Sequence, residues 1–213
     1  MALEIAAVAV LAVVSPTLTA LGMLLIPGFY RPQSVAAEFV GILAMSSQVA
    51  APVLFLMWRS GRGWSSFGIT RPRWYDPFLA LVIYASAYVV MLMGIAIDFG
   101  FRAQQPLTDF LAKPGGAEWV LVVLIAILNG GTEELVMRGY LIPRIERYCG
   151  SALVAVVATS LMFGAYHLYY GYAGAIQITA MGFVFGGAFC ATRRLWPVAI
   201  AHMLADVLPY LWG

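Results

Sequence analysis

Long apolar runs separated by short polar segments make up almost the whole chain. Seven runs cover about residues 5–29, 36–57, 77–97, 117–141, 151–170, 172–191 and 195–212. They have about the 18 to 25 residues that a helix needs to cross a hydrocarbon core of roughly 30 Å. The pattern therefore predicts an all-α, polytopic transmembrane bundle of seven helices, with residues 1–213 forming a single membrane domain.

The composition agrees with this prediction. The chain is 62% hydrophobic and 10% charged, whereas about a quarter of the residues in a soluble domain are charged. The net charge of +2 is small and its arginines are dispersed, which excludes a nucleic-acid partner and leaves membrane lipid as the surroundings. Cys149 and Cys190 are far apart, so neither a disulfide framework nor a thiolate metal site is indicated.

The basic residues predict an orientation. Three clusters fall on one side of a seven-span chain, namely Arg59, Arg62, Arg71 and Arg73, then Arg144 and Arg147, then Arg193 and Arg194. Because basic loops stay in the cytoplasm, the N-terminus is expected inside and the C-terminus outside. The longest loop on the other side, residues 99–116, is expected to contain a short interfacial helix from Pro106 to Ala112.

Ionisable residues inside apolar runs are costly, and by default they indicate a functional site. They are Glu133, Glu134 and Arg138 in the fourth run, His167 in the fifth, and His202 and Asp206 in the seventh, with Glu38 isolated in the second. His167 and His202 are the only histidines of the chain. Two histidines and two acids in one bundle favour a functional site over a structural explanation.

Hairpin geometry brings part of this set together. With a turn near Gly150, Glu133 and His167 should lie at similar depth, and His202 and Asp206 share one helix face at a spacing of four. We expect a polar cavity on the cytoplasmic half of the bundle.

Glu133 reaches the depth of His202 only if the fourth span leaves the membrane near Leu141. Pro143 makes a helix end there plausible. Arg144 and Arg147 are then expected in water.

Other polar or small residues are explained by packing. Glu134 and Arg138 are also four apart, which favours a structural ion pair. Gly182 and Gly186 form a GxxxG pattern that indicates close helix packing. The tryptophans are interpreted as interface anchors, and they are Trp58, Trp64, Trp74, Trp119, Trp196 and Trp212.

The candidate set can perform hydrolysis. Glu133 and His167 could activate and orient a water molecule, because a buried carboxylate is a good base. His202 and Asp206 could face the substrate oxygen, or all four residues could hold a divalent metal such as zinc. The residues leave both mechanisms open, and no cofactor is certain. HExxH, GxGD and GxSG motifs are absent from the sequence.

Three motifs resemble those of a known family. Residues 133–138 (EELVMR) resemble EExxxR, residues 163–167 (FGAYH) resemble FxxxH, and residues 202–206 (HMLAD) resemble HxxxN/D of the CPBP family. This family comprises CAAX proteases and bacteriocin-processing enzymes and is also called Abi. The resemblance covers about residues 117–212, which it identifies as a catalytic core, and it implies an intramembrane endopeptidase acting on a peptide or a lipidated protein.

The resemblance also implies roles for single residues. Glu133 is similar to the water-activating glutamate, His167 to its partner, and His202 with Asp206 to the oxyanion-binding pair. Phe163 belongs to the supporting residues. The prenyl-protein proteases usually have Asn at the last position, and Asp206 donates a hydrogen bond only when it is protonated. The family has been described both as metalloproteases and as glutamate proteases, so both mechanisms stay open.

Two other classes of function compete with a protease. A transporter could use the same carboxylates and histidines as a proton relay, although the chain lacks the two related halves typical of transporters. A non-catalytic binding or immunity protein could have the same fold.

Overall fold

The computed structural model describes residues 1–26, 28–29, 33–97 and 113–211, and these residues form seven α-helices and no strand. In chain order the helices are α1 (Ala2–Leu25), α2 (Val35–Arg59), α3 (Asp76–Ile97), α4 (Gly116–Cys149), α5 (Ala152–Ala165), α6 (Gly171–Thr192) and α7 (Leu195–Leu211). The predicted all-α bundle is confirmed. Within the described residues, α1 to α4 and α6 are long and apolar enough to cross a membrane, while α5 and α7 are shorter apolar helices. The helix predicted for Pro106–Ala112 lies outside the described residues.

The helix ends follow local capping chemistry. Ser34 precedes α2 and its side chain accepts a hydrogen bond from the backbone N–H of Ala37, while Ser151 does the same for Val154 at the start of α5. At its C-terminal end α4 stops at Gly150, whose φ of 73° is readily adopted only by glycine.

The end of the fourth span differs from the prediction. The helix does not stop near Leu141 but continues to Cys149, with Pro143 inside it. A π-helical segment, Leu135–Leu141, directly precedes the proline. Since proline is tolerated in the first turn of an α-helix, the change from π to α geometry at Ile142 accommodates Pro143 without a break.

The predicted fifth span also differs. Helix α5 stops at Ala165, and residues Leu168–Tyr170 form a separate 3₁₀ turn before α6. His167 therefore lies in the junction between α5 and this turn. Its Nδ1 atom lies 2.7 Å from the carbonyl oxygen of Phe163, so the imidazole can satisfy one of the carbonyls that a helix end leaves free.

Helix α4 is central to the bundle and packs against α2, α5 and α7, while α3 covers α6 and α7. The GxxxG pattern lies where α6 meets α5. A Cβ atom on Gly182 would lie 3.1 Å from the Cα atom of Ser160, and one on Gly186 would lie 3.0 Å from a methyl group of Val156. The two helices can approach this closely because both positions are glycine.

The three basic clusters meet at one end of the bundle. Arg194 donates hydrogen bonds to Asp76 at 2.6 and 2.9 Å and joins the start of α7 to the start of α3. Arg193 donates two hydrogen bonds to Glu146 on α4. The loops carrying the clusters therefore share one face, as the seven-span arrangement requires.

The prediction that Arg144 lies in water is wrong. Its side chain is buried, with the guanidinium 5.7 Å from the ring centre of Phe67 and 5.2 Å from that of Tyr140. Glu4 of α1 lies 4.0 Å away. Burial is tolerated because two aromatic faces and a carboxylate replace part of the water around the cation. Arg147, one turn later, is exposed as expected.

The outer surface of the bundle is apolar. Large hydrophobic side chains on several helices are more than half exposed, among them Leu18, Val40, Phe78, Leu153 and Ile176. A soluble protein rarely exposes apolar surface on this scale, whereas lipid solvates it. Trp58 and Trp74 are exposed at the basic end, consistent with membrane-interface anchors. The chain is therefore an integral membrane protein.

Candidate active site

Two antiparallel helices bring together most of the predicted polar residues. Glu133 of α4 lies beside His202 of α7, with 3.5 Å between Oε2 and Nε2. One turn earlier on α4, Asn129 donates a hydrogen bond to Oδ2 of Asp206 at 3.1 Å. Because the spacing is four residues on both helices, the two pairs form successive rungs between α4 and α7.

A glycine allows this close approach. A Cβ atom on Gly130 would lie 3.2 Å from Oδ2 of Asp206 and 3.2 Å from the backbone nitrogen of Met203. Within α7, the Nε2 atom of His202 lies 3.6 Å from Oδ1 of Asp206. The imidazole of His202 thus has a carboxyl group of each helix on its Nε2 side.

A second carboxylate holds the other side of His202. Oε1 of Glu134 accepts a hydrogen bond from Nη1 of Arg138 at 2.7 Å and lies 2.8 Å from Nδ1 of His202. Glu134 and Arg138 are almost completely buried. A buried ion pair with both partners present avoids the cost of an isolated charge, so the pair forms a fixed support for His202.

Aromatic rings complete the support of Arg138. Its guanidinium carbon lies 4.7 Å from the ring centre of Phe163 and 5.4 Å from that of Phe185. Nη2 donates a hydrogen bond to the carbonyl oxygen of Gly182 at 3.2 Å. The GxxxG segment therefore supplies a hydrogen-bond acceptor for Arg138 as well as close packing.

His167 reaches this cluster through Phe163. The ring centres of Phe163 and His167 are 4.9 Å apart, and those of Phe163 and His202 are 5.5 Å apart. Glu133 lies next to His202, and the Phe163 ring lies close to both histidines. The depth argument assumed a helix through His167, whereas α5 ends at Ala165.

A cavity inside the bundle reaches Glu133. It has a volume of about 50 Å³ and lies between α1, α2 and α4, with Ala12, Ser46 and Asn129 among its lining residues. Of the four predicted catalytic residues, Glu133 is the one whose side chain lines it. Its Oε2 atom is buried without a hydrogen-bond partner among the described residues. The cavity thus has room for water beside the Glu133 side chain.

A metal centre built from the four predicted residues does not fit this arrangement. Among the described residues, no group of three or more His, Cys, Asp or Glu is placed to hold one ion. Nδ1 of His202 lies against Glu134, and Nδ1 of His167 lies against the Phe163 carbonyl. Nε2 is therefore the remaining nitrogen of each ring.

Two residues of the site were not predicted from the sequence. Asn129 precedes Glu133 by one turn, and a polar residue at that spacing inside an apolar run was an available signal. Tyr166 lines the same cavity as Glu133, but it gave no comparable signal because tyrosine is common in membrane helices.

Comparison with known proteins gives one match. Residues 115–208 match a family model described as type II CAAX prenyl endopeptidase Rce1-like. Searches of curated proteins and of solved structures each gave no match. The matched segment begins just before α4 and ends in α7, so it contains all the residues of the site contributed by these two helices.

Proposed function

We propose that the chain, whose residues 115–208 match the family model of Rce1-like type II CAAX prenyl endopeptidases, is an intramembrane endopeptidase in which Glu133 activates water. One observation carries the proposal. The Glu133 carboxyl group borders the internal cavity while its Oε2 atom lies 3.5 Å from Nε2 of His202. A carboxylate at a cavity with a neighbouring imidazole has the chemistry of a general base.

In the proposed reaction, Glu133 accepts a proton from water while the water oxygen attacks the carbonyl carbon of the scissile peptide bond. The carbonyl electrons move to its oxygen and form an oxyanion. When this adduct collapses, the carbon–nitrogen bond breaks and the leaving nitrogen takes the proton from Glu133. The products are a carboxylic acid and an amine, and Glu133 is regenerated.

We assign supporting roles to the other residues. His202 orients Glu133 and the substrate oxygen through its Nε2 atom, and Asp206 orients His202 from 3.6 Å. Glu134 and Arg138 fix the far side of the imidazole. His167 and Phe163 form the aromatic wall beside His202, which limits the water that reaches the cluster.

The proposed substrate is a peptide or a lipidated, CAAX-type protein tail. Residues 117–212 act as the catalytic core, and α1 and α2 complete the cavity wall. The basic end of the bundle faces the cytoplasm by the positive-inside rule, with the N-terminus inside and the C-terminus outside. The substrate tail therefore approaches from the cytoplasmic side.

Peptide cleavage by the purified protein tests the proposal. An internally quenched CAAX-type peptide, farnesylated or not, is incubated with wild type, Glu133→Gln and the control Glu146→Gln, each with and without a chelator. We expect cleavage by wild type and Glu146→Gln and no cleavage by Glu133→Gln, because Glu146 lies near the end of α4 in an ion pair with Arg193. Chelator should leave the rate unchanged.

Two outcomes would contradict the proposal. Full activity of Glu133→Gln would exclude Glu133 as the base. Loss of wild-type activity in chelator, restored by zinc, would replace glutamate chemistry with metal chemistry.

A further inference from the structure

Tyr166 is buried at the cavity and its hydroxyl group has no role in the packing. The side chain is 7% exposed, and its hydroxyl oxygen has no hydrogen-bond partner among the described residues. A buried hydroxyl without a partner lowers stability, because burial removes its hydrogen bonds to water. Such a group therefore requires an explanation other than stability.

The ring of Tyr166 is held in place by its neighbours. It meets Phe163 edge to face, with ring centres 5.5 Å apart, and its centre lies 4.6 Å from that of His167. Since a tyrosine ring has only two rotatable side-chain bonds, these contacts fix the direction of the hydroxyl group. The side chain lines the same cavity as Glu133, and its hydroxyl group lies near enough to the Glu133 carboxyl group for a weak hydrogen bond.

Two other polar side chains at the cavity have partners. The Ser46 hydroxyl donates to the carbonyl oxygen of Leu128 at 3.3 Å, and the Asn129 amide donates to Asp206. The Tyr166 hydroxyl is thus an O–H donor at the cavity whose nearby polar group is the proposed base, Glu133.

We infer that Tyr166 is a further catalytic residue, whose hydroxyl group donates a hydrogen bond to the carbonyl oxygen of the scissile peptide bond. This inference rests on the proposed function. As Glu133 takes the proton from water, negative charge develops on the carbonyl oxygen, and the hydrogen bond from Tyr166 strengthens with that charge. The contact therefore stabilises the transition state more than the bound substrate, so it raises kcat without a matching change of KM.

The test compares wild type, Tyr166→Phe and Tyr172→Phe in the full chain with the farnesylated CAAX-type peptide. Tyr166→Phe removes a single oxygen atom and keeps the ring contacts. We expect its kcat to fall about 10²- to 10³-fold, as for removal of one oxyanion donor, with KM changed less than about threefold. Tyr172 is 56% exposed, so Tyr172→Phe should behave as wild type.

A second readout separates catalysis from a structural effect. A peptide trifluoromethyl ketone, whose hydrate resembles the tetrahedral adduct, should bind Tyr166→Phe about 100-fold more weakly than wild type. A non-cleavable peptide with a reduced scissile bond should bind both proteins equally, and their melting temperatures should agree.

Three results would overturn the inference. The first is a kcat of Tyr166→Phe within twofold of wild type. The second is an equal loss of affinity for both ligands, which would indicate a role in substrate binding alone. The third is unchanged affinity for the ketone together with an altered pH profile of kcat, which would show that the hydroxyl group acts on the Glu133 carboxyl group and not on the substrate oxygen. Absence of wild-type cleavage, or full activity of Glu133→Gln, would instead contradict the proposed function and therefore also the inference that rests on it.

Discussion

Oε1 of Glu134 lies 2.8 Å from Nδ1 of His202, in the buried interface of α4 and α7. A histidine whose Nδ1–H donates to a fixed acceptor presents Nε2 on the opposite side of the ring. Here that side faces Glu133, 3.5 Å away. The two glutamates are adjacent in sequence but have different roles. Glu134 orients the imidazole, and Glu133 borders the cavity.

Substitution Glu134→Gln should reduce kcat strongly while Glu133 stays in place. The neutral amide removes the carboxylate that fixes the Nδ1 side of the ring, so the Nε2 side is no longer held toward Glu133, and a misdirected histidine costs up to about 10⁴-fold in a hydrolase. We expect a loss of about 10² to 10⁴-fold in peptide cleavage. Glu146→Gln on the same helix is the control. Activity of Glu134→Gln within twofold of wild type would show that the contact does not orient His202.

Substitution Asn129→Ala should also lower activity, through Asp206. Without the amide donor, the carboxyl group of Asp206 loses the contact that fixes Oδ2 and turns Oδ1 toward His202. We expect kcat to fall about tenfold, since small misplacements near a reacting group have effects of this size. Gln48→Ala removes an exposed amide from α2 and should leave the rate unchanged. Equal rates for both variants would contradict a positioning role for Asn129.

The sequence was sufficient for contacts within one helix. The spacing of Glu134 and Arg138 predicts their ion pair, and that of His202 and Asp206 predicts a shared face, because both follow from the helical period alone. The length and apolar character of the runs likewise predict the all-α membrane bundle.

Contacts between helices were harder to predict. The pairing of Asn129 with Asp206 depends on the register of α4 and α7, which Gly130 sets through a close approach that no periodicity reveals. The burial of Arg144 depends on two rings and on Glu4 from a distant part of the chain. The position of His167 depends on the end of α5 at Ala165, inside an uninterrupted apolar run.

Gly164 is expected to be intolerant of a side chain. A Cβ atom there would overlap Oγ1 of Thr179 and lie 2.7 Å from the carbonyl oxygen of Ala175. Gly164→Ala should therefore destabilise the α5–α6 interface by about 1 to 3 kcal/mol, as overpacking does, and lower the melting temperature in detergent. A Cβ atom on Gly187 meets nothing within 4 Å, so Gly187→Ala should stabilise α6 by about 0.5 to 1 kcal/mol. Equal melting temperatures for the two variants would contradict the packing argument.

Arg193 and Arg194 are adjacent but should contribute very differently to stability. Arg194 and Asp76 form a buried pair, whereas the Arg193 side chain is 50% exposed in its pair with Glu146. Arg194→Ala leaves a buried carboxylate without its partner and should lower the free energy of unfolding by about 3 to 5 kcal/mol. Arg193→Ala should lower it by about 0 to 1 kcal/mol.

Denaturant titration of both arginine variants in the same detergent measures this difference. The double variant Asp76→Asn with Arg194→Ala should recover part of the loss, because the unpaired charge is gone. A similar loss for Arg193→Ala and Arg194→Ala would show that burial does not decide the contribution of these pairs.

Thiol labelling can test the proposed orientation. Cys149 is exposed at the end of α4, close to the basic end of the bundle. In a Cys190→Ser variant, a membrane-impermeant maleimide should label Cys149 in inside-out membrane vesicles and leave it unlabelled in intact cells. The positive-inside rule gives this result because the arginine-rich end stays in the cytoplasm.

A cysteine at the other end of the bundle provides the matched control for labelling. Lys113 is exposed and precedes α4 by three residues. Lys113→Cys, in a chain with Cys149→Ser and Cys190→Ser, should be labelled in intact cells because one membrane-spanning helix separates the two positions. The opposite pattern for both cysteines would invert the orientation and place the basic end outside. Labelling of both from the same side would show that α4 does not cross the membrane, which would contradict the seven-span arrangement itself.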